Sequence, residues 1–378
     1  MLDESLLDDP EALARADRRG LLRGAAEAGA RVRTAARYAT EAGVGALNPE
    51  GRPRAVLLAG SGTAATGVAD LVDALTGASA PVTRLRPTGV APAAGALRWT
   101  LPGWAGPVDL LLLATTEGTE PGLSQLAEQA YRRGVTVVAV APRSSPLTEA
   151  VHGSRGLAVP LATTPHEEHG ETQAAGPGAL WALFTPLLAL LDRVGLITAP
   201  ADTLEKVADR LDRTAERCGP AIATYANPAK TLAAELADSL PLIWTEGLGA
   251  APVGRRFAAV LAELAGRPAL AAPLPEALPA HAGLLAGALA AGADPDDFFR
   301  DRVEEAQALH ARVVLLRDRP ADEGGLTAAP AARELALGNG TAVSELEPEP
   351  GSDLEALAEL LAVTDFATCY LALAAATG

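Results

Sequence analysis

Short apolar runs that end in small, flexible residues and lead into helical repeats recur along this chain. Ala55-Val-Leu-Leu-Ala59 runs into Gly60-Ser-Gly-Thr-Ala-Ala-Thr-Gly67. A continuous apolar run of that length predicts a strand buried on both faces, and the residues after it open an amphipathic helix. Pro81–Leu85 supplies the next strand. Val108–Ala114 predicts a further buried strand, followed by Thr115-Thr-Glu-Gly-Thr-Glu-Pro-Gly122 and the helical pattern Leu123–Arg133. Gly134–Ala141 repeats the motif, with Pro142–Glu149 after it and a short strand-like segment at Gly156–Pro160. Strands alternating with helices imply right-handed βαβ units and a parallel sheet, whose ligands sit at the carboxyl ends of the strands.

Before this region, residues 10–45 read as amphipathic helices, with Leu13, Ala14, Leu21 and Leu22 on one side and an arginine-rich polar face, packed on the outside of the sheet. After it come a polar stretch, Thr163–Gly178, the apolar helix Ala179–Val194 and a long amphipathic helix, Leu204–Ala221, that links two halves. The second half repeats the plan. Leu240–Trp244 is a strand, Thr245-Glu-Gly-Leu-Gly-Ala250 a glycine turn, Val253–Ala265 a helix and Arg312–Arg317 a later strand. Asp294-Pro-Asp-Asp297 reads as a helix cap and turn, and Ser344–Asp353, with Pro348 and Pro350, as a solvated acidic linker. The expected fold class is α/β, with two flavodoxin-like parallel-sheet domains and flanking helices. The boundaries read as N-terminal helices over 1–48, a first sheet domain over 49–200, a linking helix over 201–235 and a second sheet domain over 236–378.

Composition narrows the function. The chain has 378 residues, 49% of them hydrophobic, enough for about two domains. A net charge of −16, with no basic patch or interleaved aromatic stripe, argues against nucleic acid. Lys206 and Lys230 are the only lysines, so any anion must be met by arginine and by backbone N–H groups. Cys218 and Cys369 are isolated and read as buried, inert thiols. The acidic start Met1–Pro10 lacks the form of a signal peptide, and the longest apolar stretch, Leu180–Leu191, is too short for a bilayer and contains Pro186. A cytoplasmic protein without a membrane role is expected.

The glycine turn at Gly60, Ser61 and Gly62 has the chemistry of an anion site, since the first N–H groups of the following helix are unpaired donors at the positive end of its dipole. Thr115, Thr116 and Thr119 form a second turn of the same kind, or cap the helix that begins near Pro121. Arg84, Arg86 and Arg143 stand where they can supply charge. His166-Glu-Glu-His169-Gly-Glu171 clusters potential ligands without the His-Glu-x-x-His spacing of a zinc site, and reads better as a lid than as a metal centre.

In this order the residues resemble the SIS (sugar isomerase) proteins, in particular the bifunctional phosphoglucose/phosphomannose isomerase branch. Gly60-Ser-Gly62 stands at that family's first glycine turn, and Ala114-Thr-Thr-Glu-Gly-Thr-Glu120 at its Ser-x-Ser-Gly-x-Thr-Glu phosphate loop. Asn227-Pro-Ala-Lys-Thr-Leu-Ala233 matches its Asn-Pro-Ala-Lys element. Arg256–Ala265 resembles the helix that carries Asn-Glu, Leu274-Pro-Glu-Ala-Leu-Pro-Ala-His281 the Pro-Glu-x-x-His segment, and Asp365–Ala372 the helix near the family's C-terminus.

The resemblance implies aldose–ketose isomerisation of glucose, mannose and fructose 6-phosphates through an enediolate, in a homodimer, without metal or other cofactor. Glu263 would be the base, His281, from the partner subunit, the ring-opening group, and Ser61, Thr115, Thr116 and Thr119 the phosphate ligands. The departures are specific. Thr172–Leu180 lacks the family's arginine, Glu263 and His281 have lost their asparagine neighbours, and Gly378 stands just before the place of a catalytic lysine. Losing one preorganised charge-stabilising group costs roughly a hundredfold to a thousandfold in rate. The alternative is therefore a noncatalytic relative that binds a sugar phosphate or a partner enzyme and regulates sugar-phosphate metabolism. Plain structural roles stand beside these. Glu263 shares its helix region with Arg255, Arg256 and Arg267 and can be a surface salt-bridging residue, and His281 can be a satisfied buried histidine.

Overall fold

The leucine- and valine-rich runs assemble into two parallel sheets. The computed structural model describes residues 4–47, 51–91, 93–163, 177–287, 289, 309–318 and 327–375. The chain divides into two units, residues 23–212 and residues 1–22 together with 213–378. Short helices α1 (Glu4–Leu7) and α2 (Pro10–Ala16) belong to the second of these, and α3 (Leu21–Ala26) crosses between them.

The first unit runs α4 (Ala28–Glu41), β1 (Val56–Gly60), α5 (Gly62–Thr76), β2 (Val82–Leu85), β3 (Leu110–Ala114), α6 (Pro121–Arg132), β4 (Thr136–Ala141), α7 (Pro146–Gly153), β5 (Leu157–Pro160) and α8 (Ala179–Arg193), and ends within α9 (Ala201–Arg217). The five strands are all parallel, in the order β2-β1-β3-β4-β5. One face of the sheet, through Leu57, Leu111, Leu113, Val137 and Ala139, packs on Leu123, Leu126 and Leu147 of α6 and α7. Helix α8 is buried along nearly its whole length and packs with α4 and α5. At the amino end of the sheet Arg54 donates to both oxygens of the buried Asp109, at 3.0 and 2.6 Å. Burial opposes the charged form of Asp109, but Arg54 and the Gly106 N–H outweigh it and hold the carboxyl below its usual range.

The second unit continues with α10 (Pro228–Leu236), β6 (Ser239–Glu246), α11 (Ala250–Ala265), β7 (Leu270–Pro273), α12 (Ala277–Ala286), β8 (His310–Arg317), α13 (Ala329–Gly338), β9 (Val343–Leu346) and α14 (Asp353–Ala375). Its four parallel strands run β7-β6-β8-β9. Alternation along β6 separates two faces. Leu242 and Trp244 join Ala277, Leu285, Ala329 and Ala332 of α12 and α13 in one core, whereas Ile243 and Thr245 lie against Gly254 of α11. Helix α14 packs on α10 and α11. Its Asp353–Ala374 portion is long and apolar enough to cross a membrane, yet 94% of that window is buried inside the protein, where it forms a core. It is longer than the Leu180–Leu191 stretch that stands out in the sequence, because Asp365 and the threonines that interrupt it are satisfied internally. Asp365 pairs with Arg256 of α11, and Thr364 and Thr368 donate to backbone carbonyls of their own helix.

The α/β class and the two sheets are those expected. Three local readings differ. Of the residues 10–45 read as packing on the first sheet, those up to Leu22, with α2, group with the second unit, as does α1; Asp8, just after α1, accepts from the N–H and hydroxyl of Thr224 at 2.8 and 2.9 Å within that unit. The start of the acidic linker, residues 344–346, belongs to the edge strand β9, with the two oxygens of Glu345 held by Nε and Nη2 of Arg333. Edge strand β7 likewise does not show in the sequence, since its residues are half exposed and lack a buried strand's continuous apolar run. Cys218 and Cys369 are buried free thiols, and burial pushes Cys218 up to about 12.

Candidate functional site

The chain passes from β2 on one side of β1 to β3 on the other, so the first sheet opens a crevice at the carboxyl ends of β1 and β3. Gly60 must be glycine there, because a Cβ would lie 2.2 Å from the Ala114 carbonyl oxygen. Ser61 is extended and Gly62, at φ 82°, turns the chain into α5. Ser61 does not cap α5. Its hydroxyl instead donates to Oε1 of Glu120 at 2.6 Å, and the Thr115 hydroxyl donates to the same oxygen at 2.7 Å. Thr115 in turn accepts the N–H groups of Glu117 and Gly118, each at 3.1 Å, and so closes the turn. Glu120 is 1% exposed, its Oε2 has no hydrogen-bond partner among the described residues, and it sits at the amino end of α6, where the dipole favours a carboxylate.

Three threonines therefore take three roles. Thr115 is buried and structural, Thr116 is half buried, and Thr119 is exposed with its hydroxyl 3.4 Å from Glu117. Of the arginines, Arg84 on β2 donates to Thr66 Oγ1 near the start of α5 at 2.9 Å, which sets a guanidinium beside the uncapped end of that helix. Sequence reasoning missed Glu120. Its signal was an acidic residue directly before the proline that opens a helix. The crevice thus offers backbone N–H groups and a guanidinium for an anion, and the carboxylate of Glu117 as an acceptor for hydroxyls.

The second sheet reverses at β6 and β8, and there the turn is closed by its own carboxylates. Gly249 at the start of α11 donates its N–H to Asp318 at 2.8 Å, and a Cβ on Gly247, at φ 110°, would lie 1.8 Å from the other Asp318 oxygen. Glu246 accepts from the Thr327 hydroxyl, from the Ala328 N–H at 2.6 Å and from Arg317 at 2.9 Å. Burial opposes its ionisation, but these donors keep its carboxyl below the usual range.

His281 on α12 is 8% exposed, and its Nδ1 accepts the Trp244 indole N–H at 2.8 Å, which leaves the ring proton on Nε2. Burial lowers its pKa and so favours the neutral imidazole. Glu263 is exposed near the end of α11, on the opposite face of the sheet. One chain does not bring the two together, nor does it bury Glu263. In the Asn-Pro-Ala-Lys element, Asn227 caps α10 by accepting the N–H groups of Ala229 and Lys230. Buried Lys230 donates to the carbonyls of Pro220 and Ile222 at 2.8 and 2.7 Å. Both residues organise the loop before α10. The His166–Glu171 stretch lies outside the described residues, and among those described no group of three or more His, Cys, Asp or Glu side chains is placed to hold a metal.

Residues 225–377 match the bacterial phospho-glucose isomerase C-terminal SIS domain family. No curated protein matches the chain. Among solved structures, a glucose-6-phosphate isomerase like protein from Thermus thermophilus is similar at 19% identity and TM-score 0.52, over 97% of this chain and 92% of the other. A Silicibacter pomeroyi protein of phosphosugar-isomerase type aligns at 17% identity and TM-score 0.58, over 95% and 98%. The C-terminal domain of glucosamine-fructose-6-phosphate aminotransferase from Francisella tularensis aligns at 13% identity and TM-score 0.51, over 94% and 96%. At these identities the likeness is one of fold.

Proposed function

We propose that this chain, whose residues 225–377 match an SIS domain family and whose fold resembles a glucose-6-phosphate isomerase like protein, binds a phosphosugar at the reversal point of its first sheet and serves sugar-phosphate metabolism as a noncatalytic, regulatory relative of the isomerases. The observation that carries this reading is the start of α5, left uncapped because the Ser61 hydroxyl goes to Glu120, with Arg84 beside it. A phosphate fits those N–H groups and that guanidinium, with Thr116 and Thr119 at its edge, and the sugar hydroxyls donate to Glu117. Ser61 and Thr115 act by holding the turn. Isomerisation needs a carboxylate base of raised pKa beside a ring-opening acid, and the exposure of Glu263 and its separation from His281 argue against that assembly in one chain.

Calorimetric titration with glucose 6-phosphate and with glucose tests binding. Saturable heat with the first and none with the second supports the reading, and equal or absent heats refute it. One observation favours a second reading, an isomerase completed across a homodimer: Trp244 holds His281 as the Nε2–H tautomer suited to donate a proton to a sugar ring oxygen. Deuterium uptake at C2 of fructose-derived product in deuterated water, abolished by Glu263→Gln, would establish that reading over the first.

A further inference from the structure

We infer that the first unit carries a second anion site, a cleft of about 320 Å³ between α4, α7 and the edge strand β5, fitted to a small dianion with an apolar body. The inference is independent of the reading of the β1–β3 crevice. The cleft has the size of a metabolite pocket and its own charge and floor. Tyr38 of α4 holds two guanidinium groups near its ring, Arg37 at 5.1 Å and Arg143 at 5.5 Å from the centroid. Arg37 also faces Glu41 at 3.5 Å, so that carboxylate on the cleft wall is already engaged. Arg143 has the Tyr38 ring and no carboxylate partner among the described residues.

Arg143 thus brings a positive charge to the cleft that no carboxylate of the described residues engages, unlike Arg33, Arg54, Arg256 and Arg317, which end on carboxylates. A guanidinium over a tyrosine is attracted to the ring face and presents N–H groups to an oxyanion. His152 on α7, exposed on the same cleft, adds a second nitrogen donor. The Thr148 hydroxyl, also on the wall, donates to the Pro142 carbonyl. Leu157, Ala158 and Pro160 of β5 form an apolar floor, on a strand that pairs only with β4 among the described strands. A phosphate monoester and a dicarboxylate share the chemistry these groups recognise. The site has the character of an effector site next to the crevice, since the loop that carries Arg143 packs on the crevice turn, where the Leu147 N–H donates to the Gly118 carbonyl at 3.1 Å.

The test follows the His152 Cε1 proton by NMR, assigned through His152→Gln, while inorganic phosphate and succinate are titrated separately. A saturable shift with phosphate alone assigns the phosphate class, with succinate alone the dicarboxylate class, and with both a general dianion site. The shift should vanish in Arg143→Met, whose exposed side chain makes loss of folding a minor concern, and the affinity it reports should weaken roughly two- to fivefold in Tyr38→Leu, the loss expected of an exposed cation–ring contact. It should persist in Arg84→Met, which removes charge only at the other crevice. A shift that never saturates with either probe, or one that survives in Arg143→Met, overturns the inference.

Discussion

The reversal points of the two sheets share a plan and differ in what fills them. In both, a strand runs into glycine, the chain turns at positive φ and opens a long helix, and in both a carboxylate from the loop after the neighbouring strand reaches the turn. In the first sheet the carboxylate, Glu120, takes side-chain hydroxyls and leaves the N–H groups of α5 without a side-chain cap. In the second, Asp318 takes the Gly249 N–H and sits where an anion would bind α11. A single hydrogen-bond choice thus separates a turn that can receive a phosphate from one that supplies its own anion. The parallel helices and glycines alone would not distinguish them.

The comparison breaks most sharply at the glycines. Gly247→Ala forces a Cβ onto Asp318 at a left-handed φ and should cost about 3 kcal/mol or more, whereas Gly62→Ala, with the same kind of φ but open space around it, should cost about 1–2 kcal/mol. Chemical denaturation of the two variants checks both. If they lose equal stability, Asp318 does not fill its turn. Next in size is Arg84→Met. Losing a charge-assisted contact should weaken glucose 6-phosphate binding by roughly tenfold to a hundredfold, or about 1.5–3 kcal/mol, while Asp318→Asn should leave affinity unchanged in the same calorimetric titration.

Asp318→Ala removes the side-chain acceptor at the start of α11 and should cost about 1 kcal/mol. Ser61→Ala, which caps nothing, should leave the start of α5 no more frayed by hydrogen exchange, and greater fraying there would refute the assignment of its hydroxyl to Glu120.

The smallest expected effect is a difference in acid sensitivity. His281 has a folded pKa lowered below about 6.5, so the unfolded chain takes up its proton first. The contribution of His281 is complete above that value and is lost as pH falls through the folded value. Asp109 in the first unit is also depressed, so its contribution is complete above about 3.9 and is lost only in stronger acid. Hydrogen exchange at pH 7.5 and 5.5 should therefore show the second unit losing protection first, and His281→Gln should narrow the gap. Loss confined to the first unit would contradict this ordering.

Much of the first sheet is legible in the order of residues alone. β1, β3 and β4 stand out because a strand covered on both faces has to be apolar throughout, and Gly60 and Gly62 stand out because few other residues turn so tightly. β9 is hidden because an edge strand shows polar residues to solvent, and Glu345 reads as linker until Arg333 is seen beside it. Glu120 is hidden for another reason. Its importance lies in Ser61, at the end of a different strand, and no local pattern records that pairing.

The order of amino acids by itself determined the alternation of strands and helices, the parallel sheets that follow from it, and the glycine turns at their carboxyl ends, because these depend on burial periodicity and backbone freedom within short segments. Only the tertiary structure decided which carboxylate occupies which turn, on which face of its sheet His281 stands relative to Glu263, and that Arg143 rests on Tyr38. Those are contacts between segments far apart in the chain, and they exist only once strand register and helix packing have brought the side chains together.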